Sequence, residues 1–506
     1  MKLIKQMLCF ALALLMLFSV VACGPRGGGN NGGDDDDDVE ETTTINTWDD
    51  LPDIDMKGKE IILRSWVQQQ NAKSYDAERD GDVINNSVYD RVAALEKRLK
   101  CNYTNSEQVI HPGAEIVTEM KGLAGAPSYH VVTTASYVMD DLAAEGLLVD
   151  LAKQERVDLE KPYYDDGYNV ALKIGNRQYL VTGKLSLGWY RYQVVTLFNR
   201  NLFKQSQIAF PYQTVLDGDW TLAKMQETAN LMYKDLNRDT KYDANDQYGY
   251  YVFVGNASSQ TDGYMAAWNL RISEKGADGY FQVYSGYDPT PWVAACNDYL
   301  DMIGDVGSYS FKEGNGNDIV EKKFTAGEAG MINFRMYTVE TEGMVALSRN
   351  KEGYGIVPLP KANGDQTDYI SYVQDQVPLF GIPNTMKGED RTLATHFLEA
   401  FASESFNTTV PAYYEKALTK KYVIDAPSKA MIEIIDSNIE VDPANIFNSI
   451  SLNTTSLRTI YSGEKKVNDI LSQKIAADGS GTMKTTIEKL NKLYQDLDAQ
   501  LTSIGE

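Results

Sequence analysis

The alternation of strand and helix patterns is the strongest constraint on the fold. Residues 59–67 (KEIILRSWV) are rich in apolar and β-branched residues, as in a strand. Residues 81–100 place apolar side chains at helical spacing with charges between them, and residues 101–109 again resemble a strand. A strand, a helix and a second strand in this order predict a βαβ unit. Because residues 115–151 continue the alternation of helix and strand patterns, we expect an α/β fold.

Length and the absence of repeats narrow this class further. The chain has 506 residues, enough for two or three domains. No sequence period of about 20 to 50 residues recurs, which argues against solenoids and propellers. The four cysteines are Cys9, Cys23, Cys101 and Cys296, too few and too scattered for a disulfide framework. We therefore expect the last two to be buried free thiols.

The N-terminus predicts export. Lys2 and Lys5 precede an uncharged apolar run over residues 7–22, which is shorter than the roughly 20 residues of a spanning helix. Cys23 follows directly after Val and Ala residues, and this junction resembles a bacterial lipoprotein signal, in which the cysteine receives lipid. The resemblance implies lipid anchoring at the outer face of a Gram-positive-type membrane. An ordinary signal peptide with an incidental cysteine is the alternative.

The segment after the signal is expected to be a disordered tether. Residues 23–50 are rich in Gly and Asn, then strongly acidic, with five consecutive aspartates at 34–38. The whole chain has a formal net charge of −23. So large an acidic excess argues against nucleic acid and anionic lipid as partners and leaves neutral or cationic small ligands open.

Several segments resemble the family 1 extracellular solute-binding proteins of ABC importers. They include residues 198–211 (FNRNLFKQSQIAFP), 324–337 (FTAGEAGMINFRMY), 354–361 (YGIVPLPK) and 377–385 (VPLFGIPNT). Each motif is weak alone, but their order over residues 57–425 is that of the family. The resemblance implies a two-lobed periplasmic-binding-protein-like fold (type II), with mixed sheets flanked by helices and a ligand cleft between the lobes.

The resemblance also implies boundaries and a function. Residues 1–22 would be the signal, 23–50 the tether, 51–190 the first part of lobe 1, 191–330 the first part of lobe 2, 331–383 a return to lobe 1, and 384–506 helices of lobe 2. The chain would be a monomer that captures a small solute by lobe closure and delivers it to the transmembrane subunits of an ABC permease. A mono- or oligosaccharide is the favoured solute, although His130 and Phe198 depart from the family pattern and weaken any transfer of specificity.

Aromatic and polar residues at expected strand ends and crossings are the candidate ligand contacts. Sugars offer C–H faces to aromatic rings and hydroxyl edges to polar groups. For each residue, packing in the core, helix capping or simple exposure is the competing role. The candidates are Trp66, Ser136, Tyr137, Trp189, Tyr190, Asp262, Tyr264, Tyr337, Tyr369 and Tyr372.

Residues 235–246 (DLNRDTKYDAND) fit the spacing of a calcium-binding loop. Oxygen-bearing side chains occupy positions 1, 3, 5, 9 and 12, and position 7 offers a backbone carbonyl. Thr240 replaces the usual Gly at position 6, and an Asp replaces the usual Glu at position 12. A solvated acidic turn is the alternative, and in either case the loop would be structural. The candidate calcium ligands are Asp235, Asn237, Asp239, Lys241, Asp243 and Asp246.

Other functions remain open at this point. The three histidines, His111, His130 and His396, are scattered and lie in no catalytic motif, so we do not expect an enzyme. A glycosidase needs only two carboxylates and stays an alternative. A receptor of the same fold for peptides or polyamines, and a surface glycan-binding lipoprotein without a transport role, are the other two.

Overall fold

The computed structural model describes residues 48–66, 73–108, 114–122, 129–255, 260–261, 263–271, 273–283, 289–350, 352–422, 424–442 and 446. The predicted signal peptide, the tether up to residue 47, Cys23 and Asp262 lie outside the described residues. Cys101 and Cys296 are both buried, and neither forms a disulfide within the described chain, as predicted. Among the described residues, no helix is long and apolar enough to cross a membrane.

Strands and helices alternate along the described chain. The strands are β1 Glu60–Trp66, β2 Asn102–Gln108, β3 Val131–Ala135, β4 Val194–Asn199, β5 Tyr248–Phe253, β6 Ser273–Lys275, β7 Phe281–Val283, β8 Ser308–Phe311, β9 Ala329–Arg335, β10 Tyr354–Val357 and β11 Pro378–Gly381. The α-helices are α1 Val83–Leu99, α2 Ala114–Gly122, α3 Ser136–Ala144, α4 Asp166–Leu172, α5 Gly188–Arg191, α6 Arg200–Gln205, α7 Tyr212–Leu216, α8 Leu222–Asn230, α9 Tyr264–Ala267, α10 Pro289–Gly304, α11 Gly316–Thr325, α12 Glu342–Ser348, α13 Gly388–Asn407, α14 Thr409–Pro411 and α15 Ala426–Ser437. A π-helix spans Ala412–Lys421, and 3₁₀ turns span Leu151–Lys153 and Met336–Glu340.

The first sheet has four strands in the order β11-β3-β1-β2. β1 pairs in parallel with both β2 and β3, so β1, α1 and β2 form the predicted βαβ unit. β11 is antiparallel to β3, which makes the sheet mixed. We call this sheet with its helices lobe 1.

The second sheet has five strands in the order β10-β4-β9-β5-β8. β5 is parallel to β8 and β9, whereas β4 is antiparallel to β9 and β10. We call this sheet with its helices lobe 2. The mixed α/β architecture built on two sheets is the fold class predicted from the sequence.

Local chemistry explains why α1 begins and ends where it does. The Asp82 carboxylate accepts hydrogen bonds from the backbone N–H groups of Ile84 and Asn85, which caps the N-terminus. Arg98 lies in the last turn, where its charge complements the helix dipole. Lys100 ends the helix in the left-handed conformation, at φ 50°. The capped helix then packs against lobe 1 through buried residues that include Leu95.

Two predicted boundaries differ from the structure. β9 and β10 both belong to the second sheet, so residues 331–357 stay in lobe 2 and only β11 returns to the first sheet. Helix α13 packs against α1, and its residues Phe397 and Phe401 join the apolar cluster of Ile61 and Leu63 in lobe 1. Residues 384–407 therefore belong to lobe 1 rather than to lobe 2. Helix α15 does pack against β10 of lobe 2, as expected of the C-terminal helices.

Candidate functional site

Ends of strands from both sheets come together around residues 374–376. Ser136, which directly follows β3, donates a backbone and a side-chain hydrogen bond to the Asp375 carbonyl, at 3.1 and 2.7 Å. Gln374 and Gln376 accept hydrogen bonds from Arg335, the last residue of β9. In α/β proteins, ligands bind beside the carboxyl ends of the strands. This meeting point of the two lobes is therefore the candidate ligand site.

Arg335 is the centre of this cluster. Its side chain is buried, and one terminal nitrogen, Nη1, donates to the amide oxygens of Gln374 at 3.0 Å and Gln376 at 2.7 Å. The other, Nη2, donates to the Tyr337 hydroxyl at 3.3 Å, while Nε has no hydrogen-bond partner. The guanidinium lies 4.8 Å from the centre of the Tyr337 ring and 5.8 Å from that of Tyr192.

The cluster holds a positive charge that no carboxylate in the described part of the chain pairs with. Arg335 forms no ion pair with any described carboxylate. A buried charge of this kind is costly unless polar groups satisfy it, and here two amides, one phenol and two ring faces surround it. The Nε–H is buried and without a partner, so a ligand's hydroxyl or carboxylate oxygen could reach it only where the lobes move apart. The arrangement can therefore bind an oxygen-rich ligand, with Tyr337 offering a ring face for stacking.

Three predicted site residues lie in this cluster or beside it. Tyr337 contacts the guanidinium directly, and Ser136 donates a hydrogen bond to the Asp375 carbonyl next to Gln374 and Gln376. Tyr137 is partly buried, and burial, followed by the Asp375 carboxylate, raises the pKa of its phenol. A neutral phenol can both donate and accept a hydrogen bond. Trp66 ends β1 at the same edge of the first sheet and is buried.

Trp189 and Tyr190, the two aromatics predicted at the crossing between the lobes, contact residues other than Arg335. Trp189 is fully buried and donates from its indole nitrogen to the Asp436 carboxylate at 3.1 Å. Tyr190 stacks on Tyr413 of the π-helix, with ring centres 5.7 Å apart. Both side chains therefore have packing and hydrogen-bond partners outside the cluster.

The remaining tyrosines are buried in this conformation. Tyr264 accepts a hydrogen bond from Asn333, which precedes Arg335 on β9, and lies in lobe 2 with other tyrosines. Tyr369 accepts a hydrogen bond from the Trp220 backbone at 3.0 Å. Tyr372 is buried at the crossing into β4. Their part in ligand binding stays a prediction, and Asp262 lies outside the described residues.

Sequence reasoning missed the residue on which the cluster depends. Residues 329–335 are buried throughout, and Arg335 is the single charged residue of that strand. A charge that ends an otherwise apolar strand is a signal that could have identified it. Gln376 and Tyr192 carry no such signal, because polar and aromatic residues are common at chain crossings.

The acidic loop is held together by hydrogen bonds to its own backbone. Asp235 accepts from the N–H groups of Arg238 and Thr240, at 2.5 and 2.9 Å. Thr240 is left-handed, at φ 64°, as the position usually held by Gly requires. The Asp246 carboxylate is buried and accepts from the Leu236 N–H. Across the described chain, no group of three or more His, Cys, Asp or Glu is arranged to hold a metal ion, and the calcium site stays a prediction.

Comparison with known proteins identifies the fold. No protein-family profile and no curated protein sequence matches the chain. Among solved structures, a sugar transporter from Rhizobium etli in an open conformation matches with 15% identity and a TM-score of 0.54, over 85% of this chain and 99% of that one. The galacto-N-biose-/lacto-N-biose I-binding protein of Bifidobacterium longum, with bound lacto-N-biose, gives 12% identity and a TM-score of 0.55, over 86% and 98%. A family 1 extracellular solute-binding protein from Bifidobacterium longum subsp. infantis gives 14% and 0.53, over 85% and 100%. The chain therefore has the two-lobed α/β fold of the family 1 extracellular solute-binding proteins.

Proposed function

We propose that this protein is the substrate-binding component of an ABC importer and captures a small, hydroxyl-rich solute, most simply a mono- or oligosaccharide. The observation that carries the proposal is the Arg335 cluster, in which groups from the ends of both sheets meet. The solved structures of the same fold include a sugar transporter and a protein with a bound disaccharide, which supports the choice of solute.

The mechanism follows from the position of the cluster. Arg335 and Tyr337 belong to lobe 2, whereas Ser136 and Tyr137 belong to lobe 1. A ligand that contacts both sets gains all its contacts only when the lobes are close together, so binding stabilises the closed form. Closure is a change of shape that a permease can detect. No group in this mechanism makes or breaks a covalent bond, so the proposed function is not enzymatic.

Lipid anchoring through Cys23 completes the proposal. The lipid would hold the protein at the extracellular face of the membrane, with residues 23–47 as a tether, since Trp48 and Asp49 already pack on the folded chain, and the transmembrane subunits of the permease would be its partner. Cys23→Ala is expected to move the protein from the membrane fraction to the culture medium. Equal membrane retention of wild type and variant would refute anchoring without bearing on solute binding.

The test of solute binding pairs a ligand panel with one matched variant. Lacto-N-biose, maltotriose, xylotriose, a tripeptide and spermidine are each added to the mature chain, and the melting temperature and the heat of binding are measured. A true ligand stabilises the protein in proportion to its concentration over Kd. Scattering should show a smaller radius of gyration with that ligand. A hit only with the tripeptide, or a spermidine hit that Arg335→Met abolishes, would support the alternative receptors of the same fold.

Arg335→Met tests whether the cluster is the site. Hydrogen bonds to charged groups contribute about 1.5 to 3 kcal/mol, so the variant should bind the hit at least about tenfold more weakly. Arg349→Met is the matched control, because Arg349 is exposed at the end of α12. Equal affinity of both variants and wild type would refute the assignment of the site to Arg335.

A further inference from the structure

A second concave surface lies at the hinge, apart from the Arg335 cluster. It has a volume of about 520 Å³, and we call it the hinge groove; it is defined by Trp48, Tyr190, Phe406, Tyr414, Glu415 and Glu433. Asp436 and Lys184 also line it. Four aromatic rings and several charged groups in one groove are the features of a ligand site rather than of an incidental depression.

The groove and the candidate cleft meet at Tyr192 and Gln193, which connect helix α5 to strand β4; we call residues 188–193 the crossing segment. The Tyr192 ring lies beside the Arg335 guanidinium, whereas Gln193 donates from Nε2 to the Asp436 carboxylate at 3.0 Å. These two neighbouring side chains therefore have different partners, Tyr192 at the cluster and Gln193 at a carboxylate that lines the groove.

The walls of the groove come from different lobes. Trp48 meets Phe406 of helix α13 edge to face, with ring centres 5.4 Å apart, and α13 packs on lobe 1. Glu433 belongs to α15, which packs on lobe 2. Tyr190 and Tyr414 lie between these walls, with ring centres 5.9 Å apart. A ligand in the groove would contact both lobes.

The charges in the groove favour a cation. Lys184 is already paired with Asp436 at 3.0 Å, and Asp436 also accepts hydrogen bonds from the hinge. Glu415 and Glu433 are exposed and form no ion pair with any residue that the structure describes. Burial, followed by the nearby carboxylates of Asp436 and Glu433, raises the pKa of the Tyr414 phenol. Two free carboxylates therefore stand beside aromatic faces.

We propose that the hinge groove binds an aliphatic polyamine. Its ammonium groups would pair with Glu415 and Glu433, while the Trp48 and Tyr414 rings would contact the methylene chain. Because the Lys429 ammonium already lies 5.4 Å from the centre of the Tyr414 ring, Trp48 would supply the cation–π contact. Because the walls belong to different lobes, the bound amine would favour one angle between them and so change the affinity of the cleft for its solute. The cleft ligand would change amine affinity by the same factor.

Spermidine is the probe, titrated calorimetrically into the full mature chain at low salt. Glu415→Gln/Glu433→Gln should weaken binding about tenfold, since two exposed ion pairs are lost in each complex. Asp298→Asn/Asp301→Asn is the matched control, with the same charge change at two exposed positions of α10, and should bind like wild type. Arg335→Met should also bind spermidine normally, which separates the groove from the cleft.

Two results would overturn the proposal. Spermidine binding that survives the double glutamine change would come from elsewhere, such as the five aspartates at 34–38. Absence of spermidine binding to wild type at low salt would also refute it. Trp48→Leu supplies a second variant, because Trp48 is about half exposed, at 47%, and its loss should leave the fold intact. It should weaken binding about threefold if the ring contributes a cation–π contact.

Discussion

Helix α13 carries two buried titratable groups with opposite pKa shifts. Glu399 accepts hydrogen bonds from the hydroxyls of Tyr163 and Tyr164, and burial raises its pKa from 4.5 to about 7. His396 lies one turn earlier, and burial, with Arg156 and Arg98 nearby, lowers its pKa from 6.5 to about 4. The two substitutions Glu399→Gln and His396→Gln should therefore change the pH dependence of stability in opposite directions.

The sign of each effect follows from proton uptake. Between pH 4.5 and 7 the folded state keeps a proton on Glu399 that the unfolded state has lost, so its contribution to stability falls as the pH rises. Between pH 6.5 and 4 the unfolded state binds a proton at His396 that the folded state does not, so its contribution is lost as the pH falls. Each effect amounts to about 3 kcal/mol over its range. They nearly cancel in wild type between pH 4.5 and 6.5.

Urea unfolding followed by circular dichroism at pH 4, 5, 6, 7 and 8 measures these effects. The free energy of unfolding of Glu399→Gln minus that of wild type should increase by about 3 kcal/mol from pH 4.5 to 7. For His396→Gln, the same difference should decrease by about 3 kcal/mol from pH 4 to 6.5. Other carboxylates act equally on variant and wild type and cancel in the difference. The double variant should follow the wild-type profile.

Parallel profiles would refute the reasoning. If either variant differs from wild type by a constant amount at all five pH values, its residue titrates alike in the folded and unfolded states. The burial of α13 would then have no electrostatic consequence, and only the loss of hydrogen bonds from Tyr163 and Tyr164 would remain to explain the offset.

Three further predictions concern the hinge and the acidic loop. Arg191→Met leaves the Glu340 carboxylate without its bidentate partner, now at 2.8 and 2.9 Å, and should lower the free energy of unfolding by about 3 to 5 kcal/mol in urea; a loss below about 1 kcal/mol would contradict this. Gly188→Ala would place a Cβ 2.5 Å from the Pro378 ring and should cost about 1 to 3 kcal/mol, seen as a lower Tm. An unchanged Tm would mean that the hinge adjusts freely. If the acidic loop binds calcium, millimolar Ca²⁺ should raise the Tm of wild type but not of Asp235→Ala, and an equal rise in both would exclude the loop.

The sequence predicted the positions of the helices and strands better than it predicted which strands pair with one another. Residues 59–109 fold into the expected βαβ unit, because helical and strand periodicities are local properties. The return to lobe 1 was placed too early, at residue 331, because β9 and β10 still pair in the second sheet. The strand Ala329–Arg335 is buried on both faces and fits the interior of either sheet. Nothing in an apolar strand of this kind specifies which neighbour it pairs with.

The candidate site was predicted only in part, because the local sequence does not specify which distant residues a side chain will contact. Tyr337 and Ser136 were identified because they follow strands, and strand ends lie at the cleft edge. Trp189 and Tyr264 are equally aromatic and equally close to element ends, yet they are buried in the hinge and in lobe 2. Residue type alone does not separate a ring that faces a ligand from one that faces the core. Arg335 could have been recognised from the sequence, because a charged residue is rarely buried at the end of a strand unless polar groups surround it.

The crossing segment explains how one hinge can serve two sites. Gln374 is fixed by Arg335 on the cleft side, while Gln193, which pairs with the neighbouring Val373, is fixed by Asp436 on the groove side. Rotation of the lobes must change the geometry at both sites together, because the backbone is hydrogen-bonded across the hinge from Val194 to Tyr372. A solute at Arg335 and a cation at the groove would therefore act on one shared conformational equilibrium, and their affinities would depend on each other without any direct contact.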